Sequence, residues 1–313
     1  MTFSVVVCAY TEARWDALVA ALRSVRDQSY PALETIVVVD HNTSLLERAR
    51  SGLSGVTVVE NSESRGLGGA RNSGLGAAGG EIVAYLDDDA LASSGWLAQL
   101  AAAYADPLVA GAGGAIEPIW EGERPSWFPD EFAWVVGCTY RGLPESDAPV
   151  RNLIGCNMSY RRKLLAALGG FRLGYGCDET ELCLRLANRW PERVLLYVPA
   201  ASVRHRVPAG RGRWRHFRSR CYFEGRSKAV VTWLAGASEG LASERAYTLR
   251  TLPQGVLRGL ADAVLRRDPS GAGRAAAIAA GLAVTTAGYV SGRLGVERAA
   301  RERGWEPTLE PSQ

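Results

Sequence analysis

The chain has 313 residues, of which 47% are hydrophobic and 22% charged, with a formal net charge of +3. These values exclude a disordered chain and a general polyanion binder, and they allow one large domain or a domain with an appendage. Six cysteines (Cys8, Cys138, Cys156, Cys177, Cys183, Cys221) show no paired CxxC spacing. Several lie in apolar runs, which fits reduced, buried thiols of a cytosolic protein better than a disulfide framework or a zinc site.

The opening "MTFSVVVCAYTEAR" reads as a first strand and not as a signal peptide, since it has no basic leader and soon reaches a charge. "RWDALVAALRSVRDQ" follows with apolar residues at helical spacing, then the strands "LETIVVVD" and "SGVTVVEN", the Gly-rich helical turn "GGARNSGLGAAG" and the strand "EIVAYLDDD". Such alternation predicts a mainly parallel sheet flanked by helices. The main strands end in Tyr10-Thr11-Glu12, Asp40-His41-Asn42 and Asp87-Asp88-Asp89. That lines polar groups along the sheet edge where open α/β folds bind ligands. Neither GxGxxG nor a P-loop follows the first strand. The lack of glycine in "CAYTEARWDAL" also argues against a nucleotidyltransferase, which needs a loop there for a triphosphate.

Three adjacent aspartates repel unless a cation or hydrogen-bond donors offset them. A hard divalent ion is the natural partner, and a solvated acidic turn capping "SSGWLAQLAAAYA" is the bland alternative. Between about Ala105 and Val150 the pattern turns irregular and aromatic, with Trp120, Trp127, Phe128, Phe132, Trp134 and Tyr140 close together. This stretch reads either as a cover over the core or as an apolar platform for a ligand. "IGCNMSYRRKLLAALGGF" reads as strand then helix, and "GYGCDETELCLRLANRW" as a loop entering an amphipathic helix. Asp178, Glu179 and Glu181 lie in the first turn of that helix, where carboxylates also cap. "VLLYVPAASVRH" is a further strand.

From Arg204 to Lys228 there are nine Arg or Lys and a single acid, Glu224, interleaved with Trp214, Phe217, Tyr222 and Phe223. This basic patch reads as a solvated face, a site for an anionic substrate, or a membrane-headgroup contact. It matches no nucleic-acid module, and no nucleic-acid partner is expected. The uncharged "AAAIAAGLAVTTAGYVSG" is near the lower length for a membrane span, but its Ala, Gly and Thr favour a packed or membrane-surface helix.

Taken in order, "VVVCAYTEAR…ALRSVRDQSYP…TIVVVDHNT", "ESRGLGGARNSGLGAAGGEIVAYLDDDA" and "CDETELCLRL" resemble the family 2 inverting glycosyltransferases over roughly residues 3 to 230. The resemblance implies a GT-A fold, a Rossmann-like sheet binding a nucleotide-diphosphate sugar. It implies residues 1–230 as the transferase domain (1–104 for the donor, 105–230 for the acceptor), and the residues beyond, 231–313, read by themselves as a helical C-terminal region with membrane-surface contact as an option. It also implies that Ala9, Tyr10 and Glu12 hold a uracil-type base, with Asp40 at the base or ribose edge and Arg71 near base and diphosphate. Asp87 then faces the ribose, Asp88 joins the nucleotide-contacting group, and Asp89 ligates Mn2+ or Mg2+, with His205 as a further metal or phosphate contact. Asn157 belongs to the segment touching donor sugar or acceptor.

The implied reaction is a single displacement from a UDP-sugar to an acceptor hydroxyl. The acceptor (a saccharide, a lipid-linked sugar or a small metabolite) is expected near Trp120, Trp127 and Trp134. The family's base sits in a Glu-Asp pair just before "xEL". Here the order is Asp178-Glu179, which puts Glu179 at the base position, with Asp178 as the alternative. The extra methylene moves the carboxylate by about 1 Å, enough to matter in catalysis. That reversal keeps a catalytically impaired sugar-nucleotide-binding protein in view. The expected location is cytoplasmic, with peripheral attachment at the inner face of the cell membrane left open.

Overall fold

The structure is a computed structural model, and it describes residues 1–172, 178–235 and 245–303. The chain divides into two compact units. One comprises Met1–Glu117 and Pro144–His205, the other Pro118–Leu143 and Arg206–Glu310. The division therefore falls at residue 206 and not near 230, and the aromatic stretch goes with the C-terminal helices. Parts of the expected 231–313 region, and Cys177, lie outside the described residues.

The first unit is a nine-stranded sheet. Its path runs β3-β2-β1-β4-β8-β6-β9-β5, with β7 pairing β9 off that path. β1 (Phe3–Ala9), α1 (Trp15–Arg26), β2 (Glu34–Val39), α2 (Thr43–Gly52), β3 (Thr57–Glu60), α3 (Leu67–Ala77) and β4 (Ile82–Asp87) follow in order. β1 pairs in parallel with β2 and β4, and β2 with β3. Runs such as "FSVVVCA" are buried almost throughout because helices cover both faces of a parallel sheet. β5 (Ala90–Ala92), α4 (Trp96–Ala103), β6 (Val109–Trp120), β7 (Ala148–Val150), β8 (Asn157–Arg161), α5 (Arg162–Ala167), α6 (Asp178–Arg189) and β9 (Val194–Val207) complete the unit. β8 pairs antiparallel with β4 and β6, and β9 with β5 and β7, so the sheet is mixed. Its core gathers Val6, Ile36, Val38, Tyr85, Met158, Tyr160, Leu182 and Leu186.

In register, Ala9 lies opposite Val39, and Cys8 opposite Asp87. The residues that follow these strands, Tyr10 and Asp40, therefore leave the sheet at the same edge as Asp87. The sheet thus delivers the strand-end acids to one place before any ligand is considered.

The second unit is helical. Besides short turns it holds α7 (Trp214–Ala235), a wide single turn (Tyr247–Thr251), α8 (Leu252–Leu265) and α9 (Pro269–Arg303). Phe217 on α7 is the hub of its core. The ring centroids of Trp127, Phe132 and Trp214 lie 5.5, 5.2 and 5.2 Å away, and that of Phe128 5.8 Å. Phe128 and Phe132 are buried, which makes much of the aromatic stretch core. This packing is also why α7 belongs with the C-terminal helices.

α9 is long and apolar enough from Pro269 to Val296 to cross a membrane by length and composition. Within the unit it packs along α7, which carries Arg215, Arg218, Arg220 and Arg226. Glycines set that contact. A Cβ on Gly225 would stand 2.0 Å from Thr285 O, and one on Gly288 2.1 Å from Tyr222 O. The Ala/Gly bias of α9 is thus a close-packing surface. Gly225→Val is expected to destabilise this unit by about 1–3 kcal/mol through overpacking, read as a lower thermal midpoint.

Candidate active site

Asp87 closes β4, and Asp88 and Asp89 form the turn into β5. α4 starts only at Trp96, with Gly95 before it and no side-chain cap, so the aspartates do not cap that helix. Asp88 and Asp89 are buried, and the protein supplies their counter-charge. Arg14 Nη1 lies 2.8 Å from Asp88 Oδ1 and 3.1 Å from Asp89 Oδ2. Burial opposes the charge on Arg14, but Asp89 and Asp88 outweigh it and hold the guanidinium above its ordinary range. His205 Nε2 is 3.2 Å from Asp89 Oδ1, because β5 and β9 pair Ala90 with His205. His205 is buried.

Burial still pushes Asp88 up to about 6, against the pull of Arg14. Burial raises Asp87 as well, with Arg71 pulling down and Asp89 pushing up. Asp88 Oδ2 is buried with no hydrogen-bond partner among the described residues. Acids in this state have room for more positive charge. One ligand atom from each of Asp87, Cys156 and His205 lies within 4.8 Å of the others. Oxygen, imidazole nitrogen and sulfur so close together suit a borderline divalent ion.

Arg71, on α3, is buried and donates to Glu179 Oε1 at 2.8 Å and to Gly155 O at 3.2 Å, with Asp87 Oδ1 4.0 Å away. Its ring neighbour is Phe171, 5.4 Å from the guanidinium carbon to the centroid. Burial opposes the Arg71 charge, and Glu179 and Asp87 more than offset it. A Cβ on residue 155 would stand 2.2 Å from Glu179 Oε1, so glycine is required where this pair crosses the loop. Asn72 holds the facing segment, accepting from Phe171 N and donating to Phe171 O.

Of the acids opening α6, Glu181 turns wholly inward to Arg185, with Nε to Oε1 at 2.7 Å. Glu179 is bound to Arg71. Asp178 Oδ1 is buried without a hydrogen-bond partner among the described residues. Burial, then Glu179, push Asp178 up to about 6. The two acids that the sequence left as alternatives thus sit in different electrostatic settings.

The remaining expected residues spread more widely. Asp40 accepts from Asn61 Nδ2 at 2.6 Å and Gly66 N at 2.9 Å. Tyr10 is exposed with Arg14 against its ring, and Ala9 is buried in β1. Glu12 sits in a short 3-10 turn, 3.8 Å from Arg48 Nη1, outside the aspartate cluster. Asn157 is buried in the sheet. Its amide donates to Ala115 O and Ala201 O and accepts from Trp96 Nε1, so the side chain serves the fold. Sequence reasoning missed Arg14 and Cys156. Both lie inside quoted motifs, "TEAR" and "GCNMS", but only the fold shows that they face the aspartates.

Residues 4–169 match the model of Glycosyl transferase family 2. A glucosyl-dolichyl phosphate glucuronosyltransferase of Haloferax volcanii is 34% identical over 248 residues, covering 75% of this chain and 78% of its own. A solved mannosyltransferase of Pyrobaculum calidifontis, in complex with GDP-Man and Mn2+, superposes with a TM-score of 0.57 at 22% identity, over 97% of this chain and 87% of its own. The GalNAc-T7 structure with UDP, GalNAc and Mn2+ gives 0.53 at 18% identity, over 80% and 54%. The aspartate edge, the ordered motifs and these likenesses agree on a GT-A fold, and the chain belongs to glycosyl transferase family 2, a transferase that moves sugar from a nucleotide donor.

Proposed function

We propose that the chain transfers a sugar from a UDP-sugar to a hydroxyl of a lipid-linked saccharide, by a single, inverting displacement that depends on a divalent cation. The observation that carries the reading is the convergence of Asp87, Asp89, His205 and Cys156 on one edge with Arg71, Glu179 and Asp178. The lipid-linked acceptor is suggested by the name of the Haloferax relative, which is the similarity with the highest identity described above.

Asp87, Asp89 and His205, with Cys156 beside them, would hold the cation, which when bound stabilises the departing diphosphate. A donor set with nitrogen and sulfur favours Mn2+ over Mg2+, which prefers oxygen alone. Arg71 lies against Asp87 and is positioned to steady the nucleotide's negative charge. Asp178 takes the acceptor proton, because Glu179 would have to give up Arg71 to do so. This reverses the preference for Glu179 that the motif alignment carries.

A thermal-shift panel of nucleotides and sugar nucleotides tests the donor site. A ligand at 100 times its dissociation constant adds about 2.7 kcal/mol of stability. UDP-sugars with Mn2+ are expected to raise the midpoint, Mg2+ to do so less, and Asp89→Ala to remove the metal-dependent part. If guanosine nucleotides shift the midpoint and uridine nucleotides do not, the donor assignment is wrong. No response to any nucleotide would remove the sugar-transfer reading of this site.

A further inference from the structure

α8 is amphipathic the wrong way round for a soluble helix. Pro253, Leu257, Leu260, Ala261 and Val264 recur at helical spacing and all face solvent, with Leu249 before them and Leu265 after. The leucines and Val264 in this set are between 48% (Leu260) and 80% (Leu265) exposed. The inward side of the helix is where the polar groups are. Arg258 Nη2 donates to the buried Glu131 at 2.6 Å, and Asp262 takes Arg274 at 2.9 Å. These residues line a cavity of about 100 Å³. Gly259 lies against Gly271 of α9, where a Cβ would stand 2.6 Å from Gly271 O. α8 is therefore fixed in the unit by its polar and glycine side, and it cannot rotate to hide its leucines without breaking those ion pairs.

The charges around the exposed stripe are mainly positive. Arg250, Arg266 and Arg267 flank it. The nearby acids are taken up in ion pairs, Asp262 by Arg266 and Arg274, and Asp268 by Arg274. The same unit exposes Arg213, Arg215, Arg218 and Arg220 around the half-exposed Trp214. An apolar face edged by arginine is the pattern of a helix lying in a bilayer interface. Its apolar side enters the acyl boundary and its cations meet anionic headgroups.

We propose that the outer face of α8 is a docking surface for an anionic lipid bilayer, which the chain meets side-on without being spanned. The inference is independent of sugar transfer, because a protein with no donor affinity would still dock.

The test is flotation of the full chain with phosphatidylcholine vesicles, with and without phosphatidylglycerol. The protein is expected to float with the anionic vesicles and to stay behind with the neutral ones. Leu257→Glu with Val264→Glu changes only exposed positions. It is expected to weaken partitioning by at least about tenfold, with the thermal midpoint and the response to nucleotides unchanged. Arg266→Gln with Arg267→Gln is expected to weaken it less and to narrow the difference between the two vesicle types. No flotation with either vesicle overturns the proposal. So does a dimeric mass in solution that the Leu257→Glu, Val264→Glu pair converts to a monomer, because a second copy would then be the occupant.

Discussion

Asp178→Asn is expected to lower kcat by about 10²–10⁴-fold and, at the same time, to raise the thermal midpoint of the apoprotein at neutral pH. The two effects share one cause. Burial and the neighbouring Glu179 hold the Asp178 carboxyl up to about 6, above its ordinary range. A carboxyl whose pKa is higher folded than unfolded binds its proton more tightly in the native state. Its contribution to stability is present in acid and is lost as pH rises through about 6. At pH 7 the wild type thus carries a buried charge that asparagine does not have. Catalysis has the opposite sign, because only the deprotonated acid accepts a proton. Turnover should fall as pH drops below about 6, while the nucleotide-induced thermal shift persists in Asp178→Asn. Glu179→Gln is the contrasting variant. It leaves Arg71 buried beside one weaker partner, so it should reduce donor-induced stabilisation as well as turnover. If Asp178→Asn keeps its turnover and Glu179→Gln loses turnover alone, Glu179 is the base and the reversed pair is a plain positional substitution.

The sheet edge was legible because each of its strands is a short apolar run that stops at a polar residue, and parallel pairing aligns such stops. The aspartates could be placed without a structure for that reason. What balances them could not. Arg14 reaches Asp88 and Asp89 from a 3-10 turn beyond the first strand, and His205 arrives through a pairing of β5 with β9 across more than a hundred residues of sequence. No local period encodes either contact. Cys156 reads from sequence only as a buried thiol, since one cysteine carries no spacing signal, and the antiparallel pairing of β8 with β4 sets it beside Asp87. The aromatic stretch was ambiguous for a related reason. Rings at irregular spacing suit a ligand platform or a core equally well, and Phe217, nearly ninety residues on, draws Phe128 and Phe132 into the core while Trp120, Trp127 and Trp134 stay half-buried. Asn157 shows the converse, because its amide donates two hydrogen bonds within the sheet and accepts a third from Trp96 of α4, a packing role that a motif position does not reveal.

Arg185→Leu is expected to cost the first unit about 3–5 kcal/mol, a large share of the roughly 5–15 kcal/mol that holds a domain folded. Glu181 is fully buried. Arg185 meets both of its carboxylate oxygens, at 2.7 and 2.8 Å, and also donates to Leu168 O and Gly170 O at 2.7 Å each. Removing the guanidinium leaves a poorly compensated carboxylate in the core, with Arg172 at 3.6 Å as a cationic contact among the described residues. Two carbonyls lose their donor as well. Replacing both residues by leucine removes the stranded charge, so the double variant should recover most of the loss. The carbonyls would leave a deficit of roughly 1–3 kcal/mol. Hydrogen exchange in α6 reads this locally, which matters because a chain of two units need not unfold in one step. A double variant as unstable as the single one would place the cost in the carbonyls and not in the charge. Recovery would instead divide the acids of "DETE" by task. Glu181 anchors the helix start, Glu179 pins Arg71 beside Asp87, and Asp178 is the carboxylate left with proton affinity near neutral pH.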